Sequence, residues 1–492
     1  FSLKNHSISF FSKFLWKREI SCCIVGSGPA GLYCVESLLK HQVFTSEQTN
    51  PLTRIDIIER LPAPFGLVRY GVAPDHPQMK VVSKKFTKWM IDNHEIINFY
   101  GNVCVGKDIS LSALRQHYDY VILSYGCDTD RPLNLSGEKS KQGLPMQFSA
   151  RQFVGWYNGH PDHHQHMQSI LSSDAFVQHT RSVAVIGQGN VAVDIGRILL
   201  RPIDQLERTD ITQNALDLLK KSHVQDVYLI GRRGPVQASW TIKEIREVLT
   251  KFSDEFDVVI DQKDMDGVSD ICHQELEESR PRKRIFALLE KHTIRCASES
   301  TRNKRLHLKF FSSPKAIAPN QLILQRNRIS GEPNHQMAQP DESAPPDIIP
   351  CDLLLSSIGY FGKPLDETLP FDTRTGIIPN LGGKVDSPGA SDGDAPLYVC
   401  GWIKRGATGV IGTNRWDAQE TIDHLVTDYN KAKQQNLTEK NGSIEDILPK
   451  DHHVISFDQW LRIDQIEVAQ GETKQKPREK LLFNENWQRL IE

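Results

Sequence analysis

A turn that occurs twice constrains this chain more than anything else in it. Cys22 to Val25 is an unbroken apolar run leading into Gly26-Ser-Gly28-Pro-Ala-Gly31, and Val183 to Ile186 leads in the same way into Gly187-Gln-Gly189-Asn-Val-Ala192. Each reads as a buried parallel strand, a glycine turn and the start of a helix, the first helix beginning near Leu32. The first glycine of such a turn permits the tight bend, and the second lets the backbone approach a diphosphate. The third, alanine in the second copy, allows close helix–strand packing, while the unpaired N–H groups of the helix face negative charge. A turn that merely packs strand on helix is the alternative for either copy alone.

The strand after each cradle separates the two. The next apolar strand after the first, Ile55 to Ile58, ends at Glu59, an acid placed to hold a ribose hydroxyl. It lies 28 residues beyond Gly31, against about 20 in the usual pattern, so Gln42 to Arg54 reads as an inserted loop. After the second cradle, Val227 to Ile230 ends in Gly231-Arg232-Arg233-Gly234. An acid there would grip the 2′-hydroxyl of NAD, whereas two guanidiniums can fork onto a 2′-phosphate. The first cradle is therefore FAD-like and the second selects NADP(H), with surface ion pairing as the alternative for the arginines. Two such cradles imply hydride chemistry between cofactors.

At 492 residues, 39% hydrophobic and 24% charged, the chain has the length and composition of a two- or three-domain globular enzyme. It lacks a run of about 18 apolar residues, so nothing is expected to span a membrane. A formal charge of −2 excludes bulk nucleic-acid binding, and any charged partner must meet a local patch. Nine irregularly spaced cysteines without a C-x-x-C pattern read as reduced thiols and exclude disulfide-reductase chemistry. Residues 1–20 carry Lys4, Lys13, Lys17 and Arg18 against Glu19, with serines and aromatics between, which suits the tail of a mitochondrial presequence; a frayed extension is the alternative.

Between and beyond the cradles, Leu61 to Pro77 reads as an ordered proline- and glycine-rich loop, Lys80 to Asn93 as a helix, and Tyr118 to Tyr125 as a strand returning to the first sheet. His163, His164 and His166 fall in a solvated loop without carboxylate or cysteine partners at ligand spacing, so no metal is assigned. The apolar runs Cys351 to Tyr360 and Leu397 to Trp402 read as late strands completing the first sheet. That makes the first domain discontinuous, 21–127 with 351–492, around a second domain at 128–350. Trp402 and the glycine turn Gly406 to Gly412 suit closure over an isoalloxazine ring, with core packing the alternative for Trp402. In Arg280-Pro-Arg282-Lys283-Arg284, preceded by Glu275, Glu277 and Glu278, Arg280 and Arg284 share one helix face. This is a docking patch for an acidic partner or a solvated charged helix.

Taken together the motifs resemble the mitochondrial NADPH:adrenodoxin (ferredoxin) oxidoreductase family from about Cys22 to Leu482. They are VGSGPAG (25–31), PFGLVRYGVAPDHP (64–77), GQGNVAVD (187–194), LIGRRGPVQ (229–237), TIKEIRE (241–247), RPRKR (280–284), SSIGY (356–360), GWIKRGATGVI (401–411) and KPREKLL (476–482). The resemblance implies an α/β fold of two Rossmann-like dinucleotide-binding domains of glutathione-reductase type, the first discontinuous. It implies FAD held by Gly28, Pro29, Ala30, Glu59, Leu67, Trp402, Gly409, Val410 and Ile411. It further implies NADP held by Gln188, Gly189, Asn190, Val191, Arg232, Arg233 and Glu244, with Gly409 near the nicotinamide. His76 and Asp194 match a supportive polar pair near the flavin, and Lys40, Arg246, Arg280 and Arg284 match residues that dock an acidic [2Fe-2S] ferredoxin. The resemblance also implies a matrix location, with peripheral contact to the inner membrane left open. Ala407 stands where the family usually has proline, Trp240 replaces a smaller aromatic, and Gly412-Thr-Asn-Arg415 departs from the pattern. The altered turn is the only sequence support for the alternative, a non-catalytic FAD/NADP-binding sensor or scaffold.

Overall fold

The computed structural model describes residues 20–45, 52–135, 145–387, 391, 393–432, 440 and 444–483. The presequence reading of residues 1–20 therefore lies, apart from Ile20, outside the described residues. The described residues form two compact units: 20–60, 86–126 and 364–456 make the first, and 61–85, 127–363 and 457–483 the second.

The first unit is built on a five-stranded parallel sheet. Its order is Leu397–Val399, Tyr120–Leu123, Ile20–Val25, Leu52–Glu59, Ile97–Gly101. Parallel strands are covered on both faces, and this is why Ile20–Val25 is a continuous apolar run with every residue buried. Pro29 opens the helix Pro29–Lys40, three residues earlier than the sequence suggests, because a proline at the first helical position gives up no hydrogen bond. The 20-residue helix Thr413–Ala432 packs along it.

The second unit carries a six-stranded parallel sheet. Its order is Met146–Ser149, Leu353–Ser356, Ser182–Ile186, Asp226–Ile230, Arg305–Lys309, Asp257–Val259. Beside it stands an antiparallel sheet formed by Ser312–Ala318, Gln321–Ser330, Met337–Pro340 and Asp347–Pro350. Of the two late strands expected in the first sheet, Leu397–Val399 lies there, but Leu353–Ser356 lies in the second, next to Ser182–Ile186. A short aliphatic strand buried on both faces carries no mark of which parallel sheet it completes.

Two segments expected with the first domain cluster with the second unit: 61–85 and the C-terminal 457–483. Buried ion pairs hold them there. Arg69 pairs through both terminal nitrogens with Glu467, which is fully buried on the helix Phe457–Thr473, and Arg478 reaches the same carboxylate at 3.1 Å. Lys80 and Lys480 share Asp210 at 2.7 and 3.2 Å, while Phe65 meets Trp460 edge-on. The Leu61 to Pro77 stretch is an ordered loop with one helical turn, Leu67–Tyr70, inside it. The solvated-loop reading of the histidines needs correction as well. His163 and His164 are buried, His163 against Arg151 at 2.9 Å and His164 on the Trp156 carbonyl at 2.8 Å, where burial lowers its pKa.

Candidate functional site

In the first unit, Gly26 has φ of +104°, and a Cβ there would lie 2.7 Å from the Ser124 carbonyl oxygen; one on Gly31 would lie 2.1 Å from the Gly26 oxygen. These two glycines are fixed by packing. Gly28, between them, faces open space, and it begins a helix that no side chain caps. Glu59 is brought to the turn by its strand and accepts from the Ser27 backbone N–H at 2.9 Å and hydroxyl at 2.7 Å. Gly401 comes so close to the helix that a Cβ would meet Ala30 at 2.5 Å, which sets the late glycine turn against the cradle.

Asp417, on the long helix, braces that turn by accepting from the Gly401 N–H at 2.6 Å and pairing with Lys404 at 2.7 Å. The half-buried Trp402 donates its indole N–H to the Thr408 carbonyl at 3.0 Å, and Arg405 bonds the same oxygen. Gly409 has φ of +82°, and Val410 N–H donates to the Thr413 hydroxyl at 3.1 Å; Val410 is exposed and Ile411 partly so. The Gly406-Ala-Thr-Gly409 turn is thus held by side-chain bonds, with alanine at position 407.

The second cradle repeats the first within the second unit. Gly187 has φ of +129° and would clash with the Ser357 carbonyl at 2.2 Å, whereas Gly189 faces open space and starts the uncapped helix Asn190–Leu200. Gln188 ties two strand ends by donating to the carbonyls of Leu229 and Lys309 at 3.2 and 2.8 Å. Asn190 accepts from the Thr241 N–H at 3.0 Å, joining the cradle to the helix Ile242–Arg246 that carries Glu244. Val191 is half-buried in the first turn. Five helices elsewhere are capped by Ser110, Ser149, Thr212, Thr241 and Ser269, while others, among them His164–Leu171 and Arg280–His292, carry no side-chain cap. What sets the two cradle helices apart is that each follows a parallel strand and begins, uncapped, at a glycine facing open space, so the residues present fit a dinucleotide diphosphate in each unit.

Arg232 is exposed and Arg233 half-buried, and neither guanidinium makes a hydrogen bond or salt bridge with a described residue. Burial, and then the fields of Arg232 and Arg282, lower the pKa of Arg233; Glu275 offsets this in part. The arginines are not in surface ion pairs with described residues, and their charge is available to a ligand.

His76 and Asp194 meet through a residue that no sequence motif marks. Arg197 is fully buried and binds Asp75 at 2.6 and 2.9 Å, Asp194 at 2.7 Å and the His76 Nδ1 at 3.4 Å. Burial works to raise the Asp75 pKa, but Arg197 holds that carboxyl below its usual range; burial raises Asp194 despite the same guanidinium. The other ring nitrogen of His76 meets Glu247 at 3.0 Å, and Glu244 lies 3.6 Å from Nδ1. The hydrogen bond with His76, and after it the one from Lys251, lowers the Glu247 carboxyl to about 2 against the opposing effect of burial. Nη2 of Arg197 carries two hydrogens, and Asp194 and Asp75 are its nearer acceptors, while carboxylates flank both ring nitrogens of His76, Glu244 at Nδ1 and Glu247 at Nε2. The i, i+3 spacing of Asp194 and Arg197 was the available sequence signal. His76, Glu244 and Glu247 offer atoms close enough for a metal, but Arg197 stands 3.8 Å from Glu244 and supplies the cation there.

Of the remaining expected residues, Leu67 is partly exposed at the head of its helical turn. Lys40 is exposed but paired with Glu36 and placed over the Trp89 ring at 5.5 Å. Arg246, Arg280 and Arg284 carry guanidiniums that make no hydrogen bond or ion pair with described residues, and all three reach solvent.

Two parallel-sheet units, each with an uncapped glycine cradle, define a chain of the two-dinucleotide oxidoreductase class. No family model matches it. It is 38% identical to NADPH:adrenodoxin oxidoreductase, mitochondrial, of Arabidopsis thaliana over 99% of this chain and 98% of that one. To the Homo sapiens protein of the same name it is 39% identical, over 95% of this chain and 91% of that one. The solved structure of Mycobacterium tuberculosis FprA in complex with NADPH superposes with a TM-score of 0.83 at 36% identity, covering 96% of this chain and 99% of that one. The chain belongs to the NADPH:adrenodoxin oxidoreductase family.

Proposed function

We propose that this chain is an FAD-dependent oxidoreductase that takes electrons from NADPH and delivers them singly to an acidic [2Fe-2S] ferredoxin in the mitochondrial matrix. The observation that carries the reading is the second cradle, which ends in two arginines without a partner among the described residues, in a chain whose relatives over nearly full length are named NADPH:adrenodoxin oxidoreductases. FAD, when bound, supplies the conversion of a two-electron donor into one-electron steps.

The chain's own residues bind and orient. Gly28, Pro29 and Ala30 present backbone to the flavin dinucleotide's diphosphate, and Glu59 holds its ribose. Trp402 and Gly409 to Ile411 form the braced turn that shapes the flavin pocket. Gln188, Gly189, Asn190 and Val191 take the NADP diphosphate and Arg232 and Arg233 its 2′-phosphate, with Glu244 a further contact to NADP. His76, set between Arg197 and Glu247, is a positioning residue with Asp194. Arg246, Arg280 and Arg284, with Lys40, dock the acceptor.

The deciding experiment is an anaerobic NADPH titration of the flavin spectrum, followed by cytochrome c reduction with and without a [2Fe-2S] ferredoxin. Bleaching by NADPH and ferredoxin-dependent cytochrome c reduction support the reading. A flavin that bleaches while ferredoxin changes nothing removes the acceptor assignment. For the docking patch, Arg284→Glu should cut ferredoxin-dependent turnover about tenfold at low salt relative to NADPH–ferricyanide activity, since steering charges act on encounter. Equal loss in the two assays would count against the patch.

A further inference from the structure

Arg282 belongs to the same basic run as Arg280 and Arg284 but not to the same surroundings. Residues two apart on a helix do not share a face. The guanidiniums of Arg280 and Arg284 meet no described partner, whereas Arg282 is half-buried and donates from Nη1 to Glu275 at 3.1 Å and to the Asn334 side-chain oxygen at 2.5 Å. Glu275 has no exposed surface and collects donors from three elements. Arg282 comes from the helix Arg280–His292, and the Gln237 side-chain amide, at 3.0 Å, from the turn Pro235–Gln237 just after Arg233. The Asn334 backbone N–H, at 2.7 Å, comes from the hairpin after Gln321–Ser330. An apolar cluster of Val236, Cys272, Leu276 and Phe286 fastens the helix and the turn together.

We propose that Arg282 is a third arginine of the site that receives the 2′-phosphate, and a determinant of the preference for NADPH over NADH. This rests on the assignment of Arg232 and Arg233 to that phosphate. Arg282 is paired with Glu275, while Arg232 and Arg233 pair with no described carboxylate, which leaves two of the three positive charges uncompensated. A phosphate monoester carries about −1.5 to −2 at neutral pH and matches that surplus. Arg233 registers the surplus, since after burial the fields of Arg232 and Arg282 are what depress its pKa, and a phosphate dianion would reverse that effect. Glu275 has the part of a positioning group: it holds Arg282 by one nitrogen and locks the turn after Arg233 through Gln237. The first turn of one helix thereby separates two tasks, with Arg280 and Arg284 facing outward and Arg282 held against Glu275 on the side of the turn that follows Arg233.

The test is calorimetric binding of 2′,5′-ADP and of 5′-ADP, which lacks the 2′-phosphate, to the flavin-loaded protein and to Arg282→Gln, Arg282→Lys and Arg233→Gln. Arg282→Gln should weaken 2′,5′-ADP about tenfold, the worth of one charge-assisted contact, and 5′-ADP less than about twofold. Arg282→Lys should restore most of the loss, and the ratio of kcat/KM for NADPH to that for NADH should fall in parallel. Unchanged 2′,5′-ADP binding in Arg282→Gln, beside a loss in Arg233→Gln, overturns the proposal alone. Equal weakening of both nucleotides overturns it too, because Arg282 would then be a prop for the fold. No loss in Arg233→Gln either would remove the Arg232–Arg233 reading and this proposal with it.

Discussion

Replacing Arg232 and Arg233 together by alanine should lower the preference for NADPH over NADH by a factor on the order of a thousand. Each hydrogen bond to a charged partner contributes about 1.5 to 3 kcal/mol, and each 1.4 kcal/mol is about a factor of ten. NADH lacks the phosphate and should lose little when the arginines go. The change should appear as a raised KM for NADPH with little change in kcat, since the 2′-phosphate is remote from the reacting carbon and binds equally in ground and transition states. It should also shrink with added salt, as contacts at a half-exposed site are screened. Steady-state kinetics with ferricyanide and both coenzymes decide the matter. Unchanged discrimination would mean that the two guanidiniums do not read the phosphate.

Both cradles were legible because their chemistry leaves so few choices. Gly26, Gly31 and Gly187 are required by contacts under 3 Å with neighbouring backbone. Gly28 and Gly189 face open space instead, and the sequence pattern marks both kinds alike. Arg232 and Arg233 stand at the end of the strand after the second cradle, as the sequence places them, and make no ion pair with a described residue; that they hold a 2′-phosphate is the proposal tested above.

The rest was set by long-range packing. Nothing in Leu353 to Ser356 distinguishes one parallel sheet from another, and its place was decided by pairing with Val183 to Ile186. His163 and His164 look polar and loop-like in sequence, yet each finds one strong partner and is buried. Glu247 lies inside the TIKEIRE motif and Arg197 one helical turn beyond Asp194. Their roles appear only once the 61–85 segment brings Asp75 and His76 against them. That segment joins the second unit through partners about 130 and 400 residues away, Asp210 and Glu467, a separation that no local pattern reports.

Those partners carry the second large prediction. Glu467→Ala should destabilise the second unit by about 3 to 5 kcal/mol, the usual cost of leaving a buried charge without its counter-ion. Arg69 is buried and loses the one carboxylate it meets among the described residues, whereas Arg478 retains Asp464 at 2.6 Å. The double variant Arg69→Met with Glu467→Leu should recover most of the loss, because it removes the stranded charge and leaves packed apolar groups. Recovery should stop short of complete, since the Leu481 N–H also donates to Glu467 at 2.9 Å and would lose that acceptor. Acid sensitivity gives an independent check. Although burial works to raise it, Arg69 holds the Glu467 pKa below its ordinary 4.5. A carboxylate whose folded-state pKa is depressed contributes fully above its unfolded value and loses that contribution as pH falls through the folded one. The wild-type protein should therefore lose stability as pH drops below 4.5, and the double variant should lose less over the same range. Thermal unfolding followed by tryptophan fluorescence, across that pH range and in all three proteins, measures both effects. A single variant as stable as the parent would show that the ion pair does not anchor the segment carrying His76.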